Sequence, residues 1–302
     1  MGGSKGERGQ VRFGTAGWSY ADWAGPVYPQ RGERISEGGL ELLSRHFDLV
    51  EINATFYRIP TPDLARAWLR KVAHNPTFRF TAKLWNGFTH TREFGASEVR
   101  RFREGMLPFV EASRLGALLI QLPWSFKFGD DAWRHLDRIW AAFSGFPLVV
   151  EFRHRGWDRP QTLQGLKEAN VGFCNIDQPT LRDCLGPTEH VTSEIAYVRL
   201  HGRNGADWFR ADAGRDRRYD YRYPLEELSP WGERIRRIAA RAREVYVVTN
   251  NHFGGSAVAN ALALVYLHRG SLEPLPARWL TAFPELHALG APAARGQLKL
   301  FV

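Results

Sequence analysis

Charged and amide side chains recur at the ends of short apolar segments of this chain. DLVEIN contains Glu51 and Asn53, FRFTAK ends in Lys83, and PLVVEF contains Glu151. A carboxylate is costly to bury unless it is paired or used in chemistry. Carboxylates can act as bases, an imidazole can protonate a leaving group, and Lys or Arg can stabilise developing negative charge. These residues therefore indicate acid–base or hydrolytic chemistry in a buried site.

The candidate residues fall into two groups according to the chemistry of their side chains. The catalytic candidates are Glu51, Lys83, Glu151, Asp177 and His201, and the substrate-binding candidates are Trp18, Tyr20, Asn53, Tyr57, Gln121, Arg153, Arg199, Asn250 and Asn251. The acids and bases could instead neutralise one another as structural ion pairs. The aromatic side chains could stack on a sugar ring or a base, or could serve packing alone.

Eight segments with the composition of β-strands must position these side chains. They are rich in apolar, β-branched and aromatic residues, they alternate with helical patterns, and they span residues 11–16, 48–53, 78–83, 116–122, 147–152, 171–176, 195–200 and 245–250. This alternation predicts a single-domain (β/α)8 barrel of the TIM type over residues 11–270. A doubly wound open sheet is the alternative, which the lack of a GxGxxG motif after the first segment disfavours. Residues 1–10 are predicted to be disordered, and residues 271–302 to form a C-terminal tail.

The functional groups of a barrel gather at the C-terminal ends of its strands, where residues i and i+2 share a face. This spacing pairs Glu51 with Asn53, Thr81 with Lys83, Glu151 with Arg153, Asn175 with Asp177 and Arg199 with His201, and it adds Gln121 and Asn250. Because the polar side chains fall at the same end of successive strands, we expect them to line one pocket at the mouth of the barrel.

A glycine turn follows the eighth predicted strand in NNHFGGSAVANA. Gly254 and Gly255 let the backbone bend tightly, Ser256 can cap the helix that starts there, and a helix N-terminus attracts anions. Arg199 and Arg203, on the neighbouring strand and loop, add positive charge. The sequence therefore predicts a phosphate-binding site at Gly254, Gly255 and Ser256. An ordinary turn followed by a helix cap is the alternative.

A second interpretation of the site involves a metal ion. Glu151, Asp177 and His201 follow three consecutive predicted strands, and Asn250 follows the eighth. Oxygen and imidazole ligands suit Mn²⁺, Mg²⁺ or Zn²⁺, so a divalent metal is the one cofactor that the pattern allows. Such a site would fit a metal-dependent sugar isomerase or epimerase, although the interleaved arginines would repel a cation. A third interpretation is a non-catalytic protein that binds a nucleotide or a sugar phosphate.

The charge balance of the chain is basic, with 41 Lys and Arg against 32 Asp and Glu and a net charge of +9. Such a balance favours phosphates, nucleic acid or other polyanions as partners. Cys174 and Cys184 lack metal-type spacing and fit a reducing compartment. The first residues lack the apolar core of a signal peptide, and no apolar run is long enough to span a membrane. The sequence therefore predicts a cytoplasmic protein.

Two segments outside the predicted strands suggest contacts with a partner. The loop 202–224 interleaves arginine with aromatic residues, as in surfaces that bind phosphates and bases, or in a lid. Its four aspartates dilute the charge, so a solvated loop is the alternative. The C-terminal GQLKLFV resembles the peptide by which bacterial proteins dock on the DNA polymerase sliding clamp, with contacts from Gln297, Leu298, Leu300 and Phe301. A tail that folds back on its own barrel is the alternative.

Several long motifs together resemble one protein family. FGTAGWSYADW, VEINATFYRIP, FRFTAK with THTREF, LLIQLPWSF, VVEFRHRGW, AYVRLHGR and NNHFGGSAVANA are similar to motifs of the YecE-like family, domain of unknown function 72, over residues 11–268. The resemblance implies a (β/α)8 barrel but no reaction, because the family has no settled activity. From the polar residues at the strand ends and the basic charge of the chain, we expect an enzyme, a hydrolase or lyase, that acts at the barrel mouth on a phosphate-containing substrate, with nucleic acid among the candidates.

Overall fold

The computed structural model describes residues 9–30, 38–181, 183–210, 212 and 215–294. Eight parallel strands form a closed barrel in chain order, and the first pairs with the last. The strands are β1 (Gln10–Ala16), β2 (Leu49–Ile52), β3 (Arg79–Lys83), β4 (Leu115–Gln121), β5 (Leu148–Glu151), β6 (Gly172–Asp177), β7 (Ile195–Leu200) and β8 (Glu244–Thr249). The predicted (β/α)8 barrel is confirmed, and its closure excludes the doubly wound open sheet.

Helices connect the strands and surround the barrel. They are α1 (Gly39–His46), α2 (Ala54–Tyr57), α3 (Pro62–Lys71), α4 (Asn86–Thr89), α5 (Ala96–Glu111), α6 (Asp130–Ala142), α7 (Pro160–Glu168), α8 (Arg215–Arg218), α9 (Leu225–Ala239), α10 (Ser256–Arg269), α11 (Ala277–Ala282) and α12 (Glu285–Ala288). Short 3₁₀ helices at Ala21–Trp23, Arg155–Trp157 and Phe253–Gly255 follow β1, β5 and β8. Within the described ranges, no helix has both the length and the apolar character needed to cross a membrane.

The register of the strands aligns polar residues in pairs on neighbouring strands. Glu51 on β2 is aligned with Thr81 on β3, and Gln121 on β4 is aligned with Glu151 on β5. Both faces of these strands are covered, because one face packs in the barrel interior and the other lies under the helices. Polar side chains at the carboxyl ends of the strands therefore converge at the C-terminal mouth.

The segment that follows α10 packs against the barrel. Trp279 and Phe283 are fully buried, and the indole N–H of Trp279 donates to the carbonyl oxygen of Val27 at 2.9 Å. This packing helps to bury α10 from Ser256 to Val265. Such burial is needed because the apolar residues of this helix are not confined to one face. The clamp-binding motif that the sequence predicts begins at residue 297 and lies outside the described residues, so that docking stays a prediction.

Candidate active site

A buried network of ion pairs lies at the centre of the barrel mouth. Arg199 on β7 is fully buried and donates to Glu51 Oε1 at 2.7 Å and to Glu151 Oε2 at 2.5 Å. Tyr197, two residues earlier on the same face of β7, donates its hydroxyl proton to Glu51 Oε2 at 2.9 Å. The network joins β2, β5 and β7. Because the Arg199 guanidinium is committed to two carboxylates, it is not placed to bind a substrate as the sequence predicts.

Glu151 has two further neighbours in this network. Arg153 Nε donates to Glu151 Oε1 at 2.5 Å, and His201 Nε2 lies 3.2 Å from the same oxygen. Burial alone would raise the pKa of Glu151, but the guanidinium groups of Arg153 and Arg199 lower that pKa well below its usual range. Glu151 is therefore a carboxylate at neutral pH.

His201, which lies next to Glu151, is a neutral imidazole. Burial and the charge of Arg153 lower its pKa to about 3. Asn250 Nδ2 lies 2.9 Å from His201 Nδ1, and a hydrogen bond donated there places the ring proton on Nε2, which faces Glu151. His201 thus lies beside Glu151, but at neutral pH it lacks the second proton that the predicted role in protonating a leaving group requires.

Lys83 is the cation of this region that has no carboxylate partner. The residue is 8% exposed, and its Nζ lies 4.0 Å from the centroid of the Phe56 ring. Its ammonium group makes no hydrogen bond or ion pair with the residues that the structure describes. Burial and the charge of Arg199 lower the pKa of Lys83 to about 7. Because two guanidinium groups already balance the two buried carboxylates, a proton on Lys83 adds an uncompensated charge.

A cleft of about 720 Å³ opens beside the Lys83 amine. Aromatic, amide and imidazole side chains dominate its lining, which consists of Gly17, Trp18, Ser19, Tyr20, Asn53, Ala54, Phe56, Tyr57, Trp68, Lys83, His90, Gln121, Arg218, Tyr219, Asn250 and His252. Glu51, Glu151 and Arg199 are not part of this lining. Of these four charged residues at the centre of the barrel mouth, Lys83 is therefore the one that lines the cleft.

One wall of the cleft is built from aromatic rings with fixed positions. The Tyr20 ring stacks on His252 at a centroid distance of 4.4 Å, and the Tyr20 hydroxyl donates to the carbonyl oxygen of Ala16 at 2.5 Å. Trp18 packs edge-on against Trp68 at 5.3 Å. Flat, prearranged rings of this kind suit a sugar ring or a base.

The loop between β7 and α9 contributes to the mouth. Tyr219 from this loop lines the cleft, and the Trp208 ring lies 5.6 Å from the Arg153 guanidinium carbon. Arg210, further out, forms ion pairs with Asp207 and Asp212. The charge of Arg210 is thus neutralised locally, and what the loop adds to the cleft is mainly aromatic surface.

Trp68, His90 and His252 line the cleft but are not among the predicted site residues, whereas Arg218 and Tyr219 belong to the loop 202–224 that the sequence singles out. They lie in helices or loops, where the two-residue spacing of strands gives no signal. His90 is the most relevant of them, because its ring packs edge-on against Phe56 at 4.9 Å. Burial and the charge of Lys83 lower the pKa of His90 to about 4, so this imidazole is neutral at pH 7.

Asp177 does not join Glu151 and His201, which corrects the prediction that groups them. Its carboxylate accepts hydrogen bonds from Trp231 Nε1 at 2.6 Å, from the Tyr223 hydroxyl at 2.8 Å, and from Arg203 at 2.9 and 2.7 Å. These partners belong to α9 and to the loop before it. Asp177 therefore faces the helix layer and fixes that loop, while the opposite face of β6 points into the barrel.

Two other predicted residues also face away from the cleft. Asn175 on β6 holds the segment before β7, because its Oδ1 accepts from Thr188 Oγ1 at 2.8 Å and from the His190 N–H at 2.7 Å. Asn251 donates from Nδ2 to the Tyr221 carbonyl oxygen and to Asn260 Oδ1, both at 2.7 Å. Asn251 thus anchors the loop between β7 and α9 and is not a substrate-binding residue in this geometry.

Replacing Asp177 by asparagine is expected to lower the free energy of unfolding by about 2–3 kcal/mol, because Arg203 loses a charged acceptor. Urea unfolding at pH 7 measures this change. Asp220→Asn, which alters an exposed aspartate, is the control. A stability loss in Asp177→Asn as small as that in Asp220→Asn would contradict the role of Asp177 as the buried anchor of the loop between β7 and α9.

The donor set proposed for a divalent metal is not assembled. Glu151 and His201 are adjacent, but Asp177 is turned to the helix layer. The oxygens of Glu151 are occupied by arginine side chains. In the described part of the chain, no group of three or more His, Cys, Asp or Glu side chains is arranged to hold a metal ion. The residues present therefore do not fit the metal-dependent interpretation.

The glycine turn after β8 is closed by the protein itself. Gly254 and Gly255 have φ angles of 59° and 79°, and the Gly254 N–H donates to Asp22 Oδ2 at 2.6 Å. The N-cap of α10 is Gly255, and the hydroxyl of Ser256 accepts from Arg222 Nε at 3.3 Å. The Asp22 carboxylate thus accepts the hydrogen bond of a backbone N–H that was predicted to bind phosphate. This geometry does not support the predicted phosphate site at Gly254, Gly255 and Ser256.

Comparisons with known proteins agree with this fold. The family model described as "Protein of unknown function DUF72" matches residues 12–279. The chain is 29% identical to the UPF0759 protein YunF of Bacillus subtilis over 288 residues, which cover 90% of this chain and all of YunF. It is 28% identical to the UPF0759 protein YecE of Escherichia coli K12 over 176 residues, 55% of this chain and 59% of YecE.

Two crystal structures give the same result. A DUF72 family protein from Thermotoga maritima, solved at 2.20 Å, is 33% identical with a TM-score of 0.77, over 86% of this chain and 99% of that chain. A DUF72 family protein from Enterococcus faecalis, solved at 3.10 Å, is 27% identical with a TM-score of 0.76, over 86% and 96% of the two chains. The resemblance noted from the motifs is thereby confirmed, and this chain belongs to the DUF72 family of proteins of unknown function.

Proposed function

We propose that this chain is an enzyme of the hydrolase or lyase class that acts on a phosphate-containing substrate at the barrel mouth. The observation that carries the proposal is the Lys83 amine, which is buried, faces a cleft of about 720 Å³ and has a pKa near 7. An amine that exchanges its proton near neutral pH can act as a general base or as a nucleophile. Perturbed groups of this kind cluster at functional sites.

The other charged residues support Lys83 in this proposal. Arg199 and Arg153 keep Glu151 ionised, and together with Glu51 they form a set with no net charge. The charges of Glu51 and Glu151 raise the pKa of Lys83, and the charges of Arg199 and Arg153 lower it. The balance lets a bound ligand shift the protonation state of the amine. The amides of Asn53, Gln121 and Asn250 line the cleft and can bind substrate oxygens.

The phosphate in the proposed substrate is supported by charge. When Lys83 is protonated, the central network carries one positive charge in excess, and Arg218 lines the same cleft. The whole chain has a net charge of +9, which attracts anionic substrates over longer distances. The aromatic wall suits a sugar or a base, so nucleotides and nucleic acid belong among the substrates to be tested. The two cysteines form no disulfide with each other, which supports a cytoplasmic location.

A search for turnover tests the proposal. The wild-type protein is incubated with sugar phosphates, nucleotides and oligonucleotides, and products are followed by phosphorus NMR and mass spectrometry. Lys83→Met should reduce kcat by about a hundredfold or more, the usual effect of losing an acid–base group, and should weaken the binding of the anionic substrate by a smaller factor. Lys127→Met, which removes an exposed lysine, should keep full activity. Turnover that survives in Lys83→Met would contradict the proposal, and binding of panel compounds without any turnover would favour the non-catalytic binder.

A further inference from the structure

Lys83 differs from the other described lysines in its surroundings. Lys71, Lys127 and Lys167 are exposed, whereas Lys83 is 8% exposed and lies over the ring of Phe56. Its amine faces open space in the cleft instead of a carboxylate partner in the described chain. A primary amine that is uncommitted, shielded from bulk water and next to a ligand-sized space has the geometry needed to attack an electrophilic carbon.

We propose that the Lys83 amine adds to an aldehyde or ketone carbon of the substrate and forms an imine, which makes the substrate a phosphate-bearing carbonyl compound. This inference rests on the proposed function, because it places the reaction in the same cleft and assigns Lys83 the nucleophilic role. Imine formation withdraws electrons from neighbouring bonds of the substrate, which is the activation that a lyase needs.

The step is balanced without any oxidant or reductant. The nitrogen lone pair of the neutral amine forms a bond to the carbonyl carbon, and the C=O π electrons move to oxygen. The oxygen takes up a proton while the nitrogen loses one, which gives a carbinolamine. The C–O bond then breaks as the nitrogen lone pair forms the C=N bond, and the hydroxyl group leaves as water after the last proton of the nitrogen has been transferred to it. The net change is one amine and one carbonyl converted to one imine and one water.

Residues around the amine fit the needs of this step. The neutral imidazole of His90 lines the cleft and can relay the proton that moves from nitrogen to oxygen. The amide groups of Asn53, directly after β2, and of Gln121, on β4, can hydrogen-bond the carbonyl oxygen. A protonated imine would keep its positive charge over the Phe56 ring, where the Lys83 ammonium now lies at 4.0 Å. The charge of the intermediate is thus stabilised where the structure already holds a cation.

Trapping with a reducing agent tests the imine. The full-length protein is incubated at pH 7 with pyridoxal 5′-phosphate, an aromatic aldehyde that carries phosphate, and sodium cyanoborohydride is added. Peptide mapping by mass spectrometry should show that the reduced adduct forms at Lys83 about tenfold faster than at Lys71, Lys127 or Lys167, because the Lys83 amine lines a ligand-sized cleft and its pKa is lowered to about 7. Lys83→Met should lose the fast adduct, and Lys127→Met should keep it. Thermal unfolding of both variants shows that they remain folded.

Two results separate this inference from the proposed function. If the adduct spreads evenly over the exposed lysines, or if Lys83→Met keeps the fast adduct, the imine is overturned. Acetylation with acetic anhydride reports the free amine independently of carbonyl chemistry. Fast acetylation of Lys83 without a trapped adduct would reject the imine but leave Lys83 as a general base, and the turnover experiment on Lys83→Met would still decide the proposed function.

Discussion

Replacing Arg199 by methionine is expected to lower the free energy of unfolding by about 3–5 kcal/mol at pH 7. Arg199 is fully buried, and its two terminal nitrogens hold Glu51 and Glu151. Methionine has a similar length but no charge, so two buried carboxylates would lose their shared counter-ion. The loss of one partner from a buried ion pair costs much more than the pair contributes over an apolar replacement. Urea unfolding followed by far-UV circular dichroism measures the change.

Arg210→Met is a matched control for this experiment. Arg210 also forms ion pairs with two carboxylates, those of Asp207 and Asp212, but its side chain is 49% exposed. Exposed pairs of this kind contribute about 0–1 kcal/mol, so the control should lose little stability. The deficit of Arg199→Met should shrink as the pH falls from 7 to 5, because protonation removes the uncompensated carboxylate charge. Equal stability losses in the two variants would show that burial does not set the energy of the network.

The outcome for Arg199 bears on the mechanism as well as on stability. In the structure, Arg199 and Glu51 are fully buried and do not line the cleft, whereas Lys83 does. The positive charge of Arg199 opposes a proton on Lys83, so removal of Arg199 should also raise the pKa of the amine. Arg199 is in this sense a positioning residue, because it acts on a substrate through Lys83 and through Gln121, whose Oε1 accepts from Arg199 at 3.2 Å.

The position of the site could be predicted from the sequence because most strands place one polar residue pair at their carboxyl ends. Lys83, Glu151 and His201 were predicted from that spacing. The structure places His201 3.2 Å from Glu151, and the charge of Glu151 acts on the pKa of Lys83. The closed barrel follows from the alternation of strands and helices. These inferences use patterns that repeat along the chain, and they do not depend on any single contact.

The orientation of β6 could not be predicted in this way. All six residues of β6 are buried, so burial gives no alternation from which to read the inward face. The assumption that polar residues point inward placed Asp177 in the cleft, whereas Cys174 faces Glu151 at 3.8 Å. The partners of Asp177 lie on α9 and the preceding loop, and their arrangement depends on tertiary packing.

The closure of the glycine turn by Asp22 could not be predicted from the sequence either. Gly254 and Gly255 have the left-handed backbone that the sequence suggests. The carboxylate that occupies the Gly254 N–H belongs to Asp22, which is 232 residues away in the chain. No local pattern reports a contact over that separation, so an anion-binding motif and a turn closed by the protein look alike in the sequence.

The stability of the protein is expected to rise with pH between about 7 and 10 because of Lys83. In the folded protein the pKa of Lys83 is lowered from 10.5 to about 7, chiefly by burial. The unfolded chain therefore binds one more proton than the folded chain in this window, and removing that proton favours the folded state. Each pH unit contributes about 1.4 kcal/mol, so the gain from pH 7 to pH 10 is about 4 kcal/mol. Below pH 7 both states are protonated and this contribution no longer changes.

Lys83→Met isolates the effect, because other groups that titrate in the same range are present in both proteins. The free energy of unfolding is measured in urea at half-unit steps from pH 6 to pH 10, and the difference between wild type and Lys83→Met is plotted. The difference should be level up to about pH 7 and should then move in favour of the wild type by about 1.4 kcal/mol per unit. Lys127→Met should follow the wild type, because its lysine is exposed in the folded state. A difference that stays level up to pH 10 would mean that Lys83 keeps an ordinary pKa, and the site would then lack the neutral amine on which its proposed chemistry depends.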